Sequence, residues 1–145
     1  MSEHATYDDV NLILRLYELR REEKFRKARE WFGWSFKAQT LDELYVLCPL
    51  GSDENAYYRM VISYWEMVAS FITGEVLNPE LFFQSGKELL FVWERICSLV
   101  PQLRDTAKDP ALFRNLEKVA RLYIQWMKNN APDSYPAFSA RVKGI

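Results

Sequence analysis

The sequence predicts an all-α fold, an up-and-down bundle of four long helices plus one short helix, and three observations carry that expectation. Capping residues stand ahead of each apolar run, and a glycine or proline follows it. Between these marks the apolar residues recur every three or four positions, the spacing that lines one face of a 3.6-residue repeat. No convincing strand pattern interrupts the series, and short connections favour antiparallel neighbours within one domain spanning residues 1–145.

Thr6 opens the first helix: its hydroxyl can accept from first-turn amides, while Asp9 fits the acidic position of a capping box. Val10, Ile13, Leu14, Tyr17, Phe25, Ala28, Trp31 and Phe32 share one face, so the helix is expected to run from about Tyr7 to Phe32 and to stop at Gly33. Thr40 with Glu43 repeats the capping signature and opens a short helix through Leu44, Val46 and Leu47, halted near Pro49. Ser52 caps the next, with Asp53 and Glu54 against the positive end of its dipole, and Tyr57, Tyr58, Val61, Tyr64, Trp65, Val68, Phe71 and Ile72 lead to a stop at Gly74.

Asn78-Pro79 is the cleanest start, a cap followed by the one helical position where proline loses nothing. That helix is expected to continue through Leu81, Phe82, Leu89, Trp93 and Ile96 to Pro101, with a kink or close contact at Gly86, which costs about 1 kcal/mol relative to alanine. Asp109-Pro110 opens the last long helix, along Leu112, Phe113, Leu116, Val119, Ala120, Tyr123, Ile124 and Met127, with Pro132 as its end. The tail at residues 133–145, with Tyr135 and Phe138, is expected to dock loosely and to fray.

Composition narrows the function classes. A net charge of −1 supplies no field that would gather nucleic acid or an anionic membrane. The longest uncharged run, Leu44 to Ser52, is far short of the roughly 18–20 apolar residues of a bilayer span. Ser2, Glu3, His4, Asp8 and Asp9 are the opposite of a basic segment leading into a secretory signal, and Cys48 and Cys97 sit far apart inside apolar runs. Both features fit reduced thiols in the cytoplasm. Twenty-two Phe, Tyr and Trp residues, each able to bury about 150–250 Å², exceed what a small core readily encloses. An aromatic groove or a subunit interface is therefore expected.

Catalytic and metal chemistry find little to build on. The sole histidine, His4, lies near the terminus, so neither a Glu-x-x-His pair nor a His/Cys zinc set nor a fixed nucleophile–histidine couple can be assembled. Five scattered glycines make no phosphate-cradling turn. No catalytic residue, metal ligand or cofactor is expected. Helix one carries a local basic excess, and Arg20, Arg21 and Lys24 define a nucleic-acid reading. The i,i+4 pairs Glu22 with Arg26 and Glu23 with Lys27 make a solvated, self-paired face the stronger expectation.

Leu12, Leu16 and Leu19 add a second apolar ridge to helix one, to be covered either by the short second helix and the tail within the monomer or by another subunit; of the two, a homodimer interface is the expectation. The rival is a ligand-binding or enzymatic pocket around Trp65, Trp93 and Trp126, with Tyr64 or Glu66 at its mouth. Glu66 and Glu94 each adjoin a tryptophan, but helical geometry sets both toward the flank, within reach of Arg59, Arg95 or solvent.

Trp65-Glu66, then Gly74 and Leu77, then Leu81-Phe82, then Trp93-Glu94 give the segment from Tyr57 to about Tyr135 its pattern. On these residues the chain resembles an uncharacterised bacterial all-helical family of the domain-of-unknown-function kind. An N-terminal membrane segment occurs in that family and is not seen here, so membrane attachment is not carried over. The resemblance implies no activity, substrate or catalytic residue. The expectation is a non-enzymatic helical module that associates with itself or with a protein partner.

Overall fold

The computed structural model describes residues 4–144; Ser2 and Glu3, used in the reading of the N-terminus, and Ile145 of the tail lie outside them. Among the described residues there are nine helices and no strand. They are α1 (Tyr7–Arg20), α2 (Glu23–Ser35), α3 (Leu41–Leu47), α4 (Asp53–Thr73), α5 (Pro79–Phe83), α6 (Lys87–Ile96), α7 (Val100–Ala107), α8 (Arg114–Asn130) and α9 (Ser134–Gly144).

The four start signals work as the residues suggest. The Thr6, Thr40, Ser52 and Asn78 side chains accept from the amides of Asp9, Glu43, Asn55 and Leu81, and Thr6 with Asp9 closes a full capping box. The expected first long helix is instead two. Glu22 leaves helical geometry with ψ at 139°, and its carboxylate takes the Lys24 and Phe25 amides at 3.1 and 2.9 Å, starting α2 afresh. Glu22 thus serves as a cap and not as a partner of Arg26, while Glu23 and Lys27 do face each other at 4.0 Å. Gly33 lies inside α2, which continues to Ser35.

The Asn78-Pro79 helix also divides. Gly86 begins α6 with no side-chain cap, and the Phe82 ring lies directly over its Cα, so close that no Cβ could be added without displacing the ring. Pro101 does not close a helix; it stands in the first turn of α7, where a missing N–H is harmless. Asp109 accepts from Ala111 and makes only a turn; α8 begins at Arg114, after Phe113 takes a left-handed conformation at φ 61°. The reason lies on α4, where the Glu66 carboxylate takes the Leu116 amide at 2.8 Å and supplies the cap that Phe113 cannot. The tail is the ordered helix α9, docked by buried Phe138 and Val142.

α4 is the central rod, packed against α2 on one side and α8 on another, while α6 lies against α8 and α9. Trp65, Val68 and Ala69 of α4 are almost wholly buried, as are Leu116, Val119, Ala120 and Tyr123 of α8. Rings join the layers: Phe36 stacks on Phe32 at 4.7 Å and on Tyr58 at 5.4 Å, and Tyr123 meets Phe83 at 4.6 Å. The Tyr123 hydroxyl donates to the Phe83 carbonyl at 2.6 Å, and burial pushes its pKa up to about 12.

Candidate functional site

A polar constellation of Arg20, Arg29 and Glu88 joins α1, α2 and α6. Glu88 at the start of α6 accepts from Arg29 Nε at 2.8 Å and Nη2 at 2.7 Å, and from Arg20 Nη2 at 3.1 Å. In an unbroken helix Arg20 and Arg29, nine residues apart, would project about 180° from one another. The break at Arg21-Glu22 lets both reach one acid, and Arg29 Nη1 also donates to the Arg20 carbonyl at the end of α1 at 3.0 Å. Burial pushes the Glu88 carboxyl up, but the two guanidinium groups outweigh it and hold it below the ordinary 4.5. Glu88 also borders an open cleft of about 500 Å³ between α2, α6 and α9.

The tryptophans expected around one pocket are not brought together. Trp65 is sealed in the core with the Arg20 guanidinium over its ring, 5.3 Å from the centroid. Trp93 is buried in α6, and Trp126 sits with Phe83 and Tyr123 and donates from Nε1 to Glu80 at 2.8 Å. Tyr64 donates to the Leu16 carbonyl at 2.7 Å and ties α1 to α4, its pKa pushed by burial up to about 12. The three tryptophans stand on three different helices, α4, α6 and α8, and the partners of Trp65 and Trp126 are not shared.

The two glutamates next to tryptophans also depart from expectation. Glu66 accepts from the Asn115 amide at 2.7 Å as well as from the Leu116 N–H, which makes it an interhelical cap. Glu94 is buried under α9 and accepts from Ser139 Oγ at 2.6 Å and Tyr135 Oη at 3.0 Å. Neither meets Arg59, which binds Asn55, or Arg95, which donates to the Phe36 carbonyl. For Glu66 an amide side chain and a backbone N–H of α8 take the place of the expected cations, and for Glu94 two hydroxyls of α9, a helix the sequence reading leaves as a tail.

Against known proteins, the family model described as a domain of unknown function, DUF4760, matches residues 5–126. The chain belongs to the DUF4760 family. No curated protein and no solved structure matches it. The DUF4760 match takes in α1 to α7 and most of α8, so α9 lies beyond it.

The surface of this DUF4760 member is most unusual on α1. Tyr7, Val10, Leu14 and Tyr17 are 78, 40, 55 and 54% exposed and recur at steps of three, four and three, so one apolar stripe faces outward. The sequence places Val10, Leu14 and Tyr17 on the core face and Leu12, Leu16 and Leu19 at an interface; the helix sits the other way. Leu16 is in the core, Leu12 packs at its edge, and only Leu19 is exposed. Two anchors set that rotation: the Tyr64 bond to Leu16, and Asp9, whose carboxylate takes the Asn78 amide at 2.8 Å. The backbone bonds from Thr6 and Asn78 hold the Asp9 carboxyl below its ordinary 3.8.

Among the described residues no three His, Cys, Asp or Glu side chains gather as a metal-binding group, and no helix is long and apolar enough to cross a membrane. Cys48 and Cys97 are free thiols, and burial raises the pKa of Cys48 to about 11, away from nucleophilic use at neutral pH. Of the three basic residues of the nucleic-acid reading, Arg20 is engaged with Glu88, while Arg21 and Lys24 are exposed.

Proposed function

We propose that this chain is a cytoplasmic helical interaction module that acts by association rather than catalysis, pairing with a second copy through the outward face of α1. The outward stripe of Tyr7, Val10, Leu14 and Tyr17 supports this reading. Its three-four spacing is the one that lets two helices interlock as knobs into holes. Arg21 continues the same face one turn beyond Tyr17. A parallel pair would bring two Arg21 side chains together, whereas an antiparallel pair lays each over Tyr7 of the other copy and opposes the helix dipoles. An antiparallel homodimer with its twofold axis near Leu14 is the arrangement we adopt.

The stripe occupies one face of a 14-residue helix, well below the roughly 800 Å² per partner of a standard interface, so the dimer is weak. Light scattering across dilution is expected to give a dimer mass at several hundred micromolar and a monomer at a few micromolar, the range of about −5 to −8 kcal/mol of association energy. Leu14→Arg is expected to be monomeric throughout with an unchanged unfolding curve. A wild-type monomer at several hundred micromolar, or an undiminished dimer for Leu14→Arg, overturns the reading.

A further inference from the structure

We propose that the cleft between α2, α6 and α9 is a binding site for a small molecule with a carboxylate head and an apolar body. Its volume of about 500 Å³ falls within the roughly 300–1,000 Å³ typical of small-molecule sites. Its floor is made by the almost fully buried Phe32 of α2, Val61 of α4 and Val92 of α6, and its apolar wall by Phe91 of α6 and the edge of Phe138 of α9. Phe91 is only partly buried, so its ring offers a contact surface to whatever enters.

Charge selects the head group. Three cations, Arg26, Arg29 and Lys87, border the cleft against two acids, Glu30 and Glu88. Glu88 is already held by Arg29 and by Arg20 from behind, which takes both Glu88 and Arg29 out of play. Arg26 from α2 and Lys87 from α6 then border the cleft with Glu30 as the one remaining acid in its lining, leaving a single positive charge uncompensated. The whole chain carries −1, so this local excess runs against the molecule's own balance. Lys87 Nζ stands 5.8 Å from the Phe138 ring centroid, which places a cation beside the apolar wall as an amphiphilic acid requires. One anionic head set against an aromatic wall matches a monocarboxylate with an aryl or short acyl tail.

Titration calorimetry on the full chain with phenylbutyrate, phenylbutyramide and inorganic phosphate tests the site, and amide NMR shifts locate it. The carboxylate is expected to bind, shifting Phe91 and Phe138, and the neutral amide to bind at least tenfold more weakly. Arg26→Gln with Lys87→Gln, two exposed positions whose loss leaves the core intact, is expected to weaken the acid at least tenfold and leave the amide unchanged. Equal binding of acid and amide, phosphate binding as tightly as the acid, shifts confined to another surface, or no binding at millimolar acid each overturns the proposal.

Discussion

α1 and α4 are both rich in large apolar side chains, yet they finish in opposite situations. α4 buries Tyr58, Val61, Ile62, Trp65, Val68, Ala69 and Ile72, whereas α1 buries only Leu16 and the polar Asp9 and leaves Tyr7, Val10, Leu14, Tyr17 and Leu19 in water. The difference is one of neighbours. α4 has helices on two sides, while α1 is fastened by hydrogen bonds at Asp9 and Leu16 and touches the bundle along one edge. Apolar content therefore says how much surface a helix could bury, and the tethers decide which part it does bury.

The largest test of that contrast is truncation on each helix. Ile72→Ala in α4 is expected to cost about 2–5 kcal/mol in urea unfolding, through lost transfer energy and a residual cavity. Leu14→Ala in α1 is expected to stay within about 0.5 kcal/mol, as exposed substitutions do. Similar losses at the two sites would break the comparison.

Next comes the acid that fixes the end of α1 and the start of α2. Glu88→Ala leaves Arg20 and Arg29 facing each other without their acid and is expected to cost about 2–4 kcal/mol, reduced from the fully buried case because the Glu88 side chain is 24% exposed. Its depressed pKa also sets a pH dependence. A carboxyl held below its unfolded value of 4.5 contributes fully above that pH and loses the contribution as pH falls through the folded value. Wild-type stability is thus expected to drop below pH 4.5 more steeply than that of the Glu88→Ala variant, as followed by unfolding curves at pH 3 to 6. Parallel curves would remove Glu88 from this role.

A smaller effect belongs to the other tether. Asp9→Ala removes acceptors for the Thr6 and Asn78 amides and is expected to cost about 1–3 kcal/mol, while raising amide exchange in the first turns of α1 and not in α4. Faster exchange spread evenly over both helices would show that α1 is no more separable than the rest.

Much of this was legible in the chain itself. Local signals with a nearby partner are the readable ones: Thr6 with Asp9, Thr40, Ser52 and Asn78 each cap the helix that follows. What stayed hidden depends on partners distant in sequence. The cap of α8 comes from Glu66, fifty residues away, and overrides Asp109-Pro110. The acid shared by Arg20 and Arg29 lies on α6 and is reached only because Glu22 breaks the helix. That break was masked because a glutamate ahead of Arg26 reads equally as an i,i+4 partner and as a cap. The order of packing, which keeps Trp65 and Trp126 from sharing a pocket, leaves no periodic trace at all.

Disulfide capture at the proposed twofold axis tests the outward face of α1 most directly. In a Cys97→Ser background, with Cys48 buried, Leu14→Cys and, as a control on α3, Val46→Cys each present one exposed thiol. Mild oxidation is expected to give a covalent dimer from Leu14→Cys, where a residue near the axis meets its own copy, and a monomer from Val46→Cys. Equal crosslinking of the two, or none from Leu14→Cys at several hundred micromolar protein, contradicts the account.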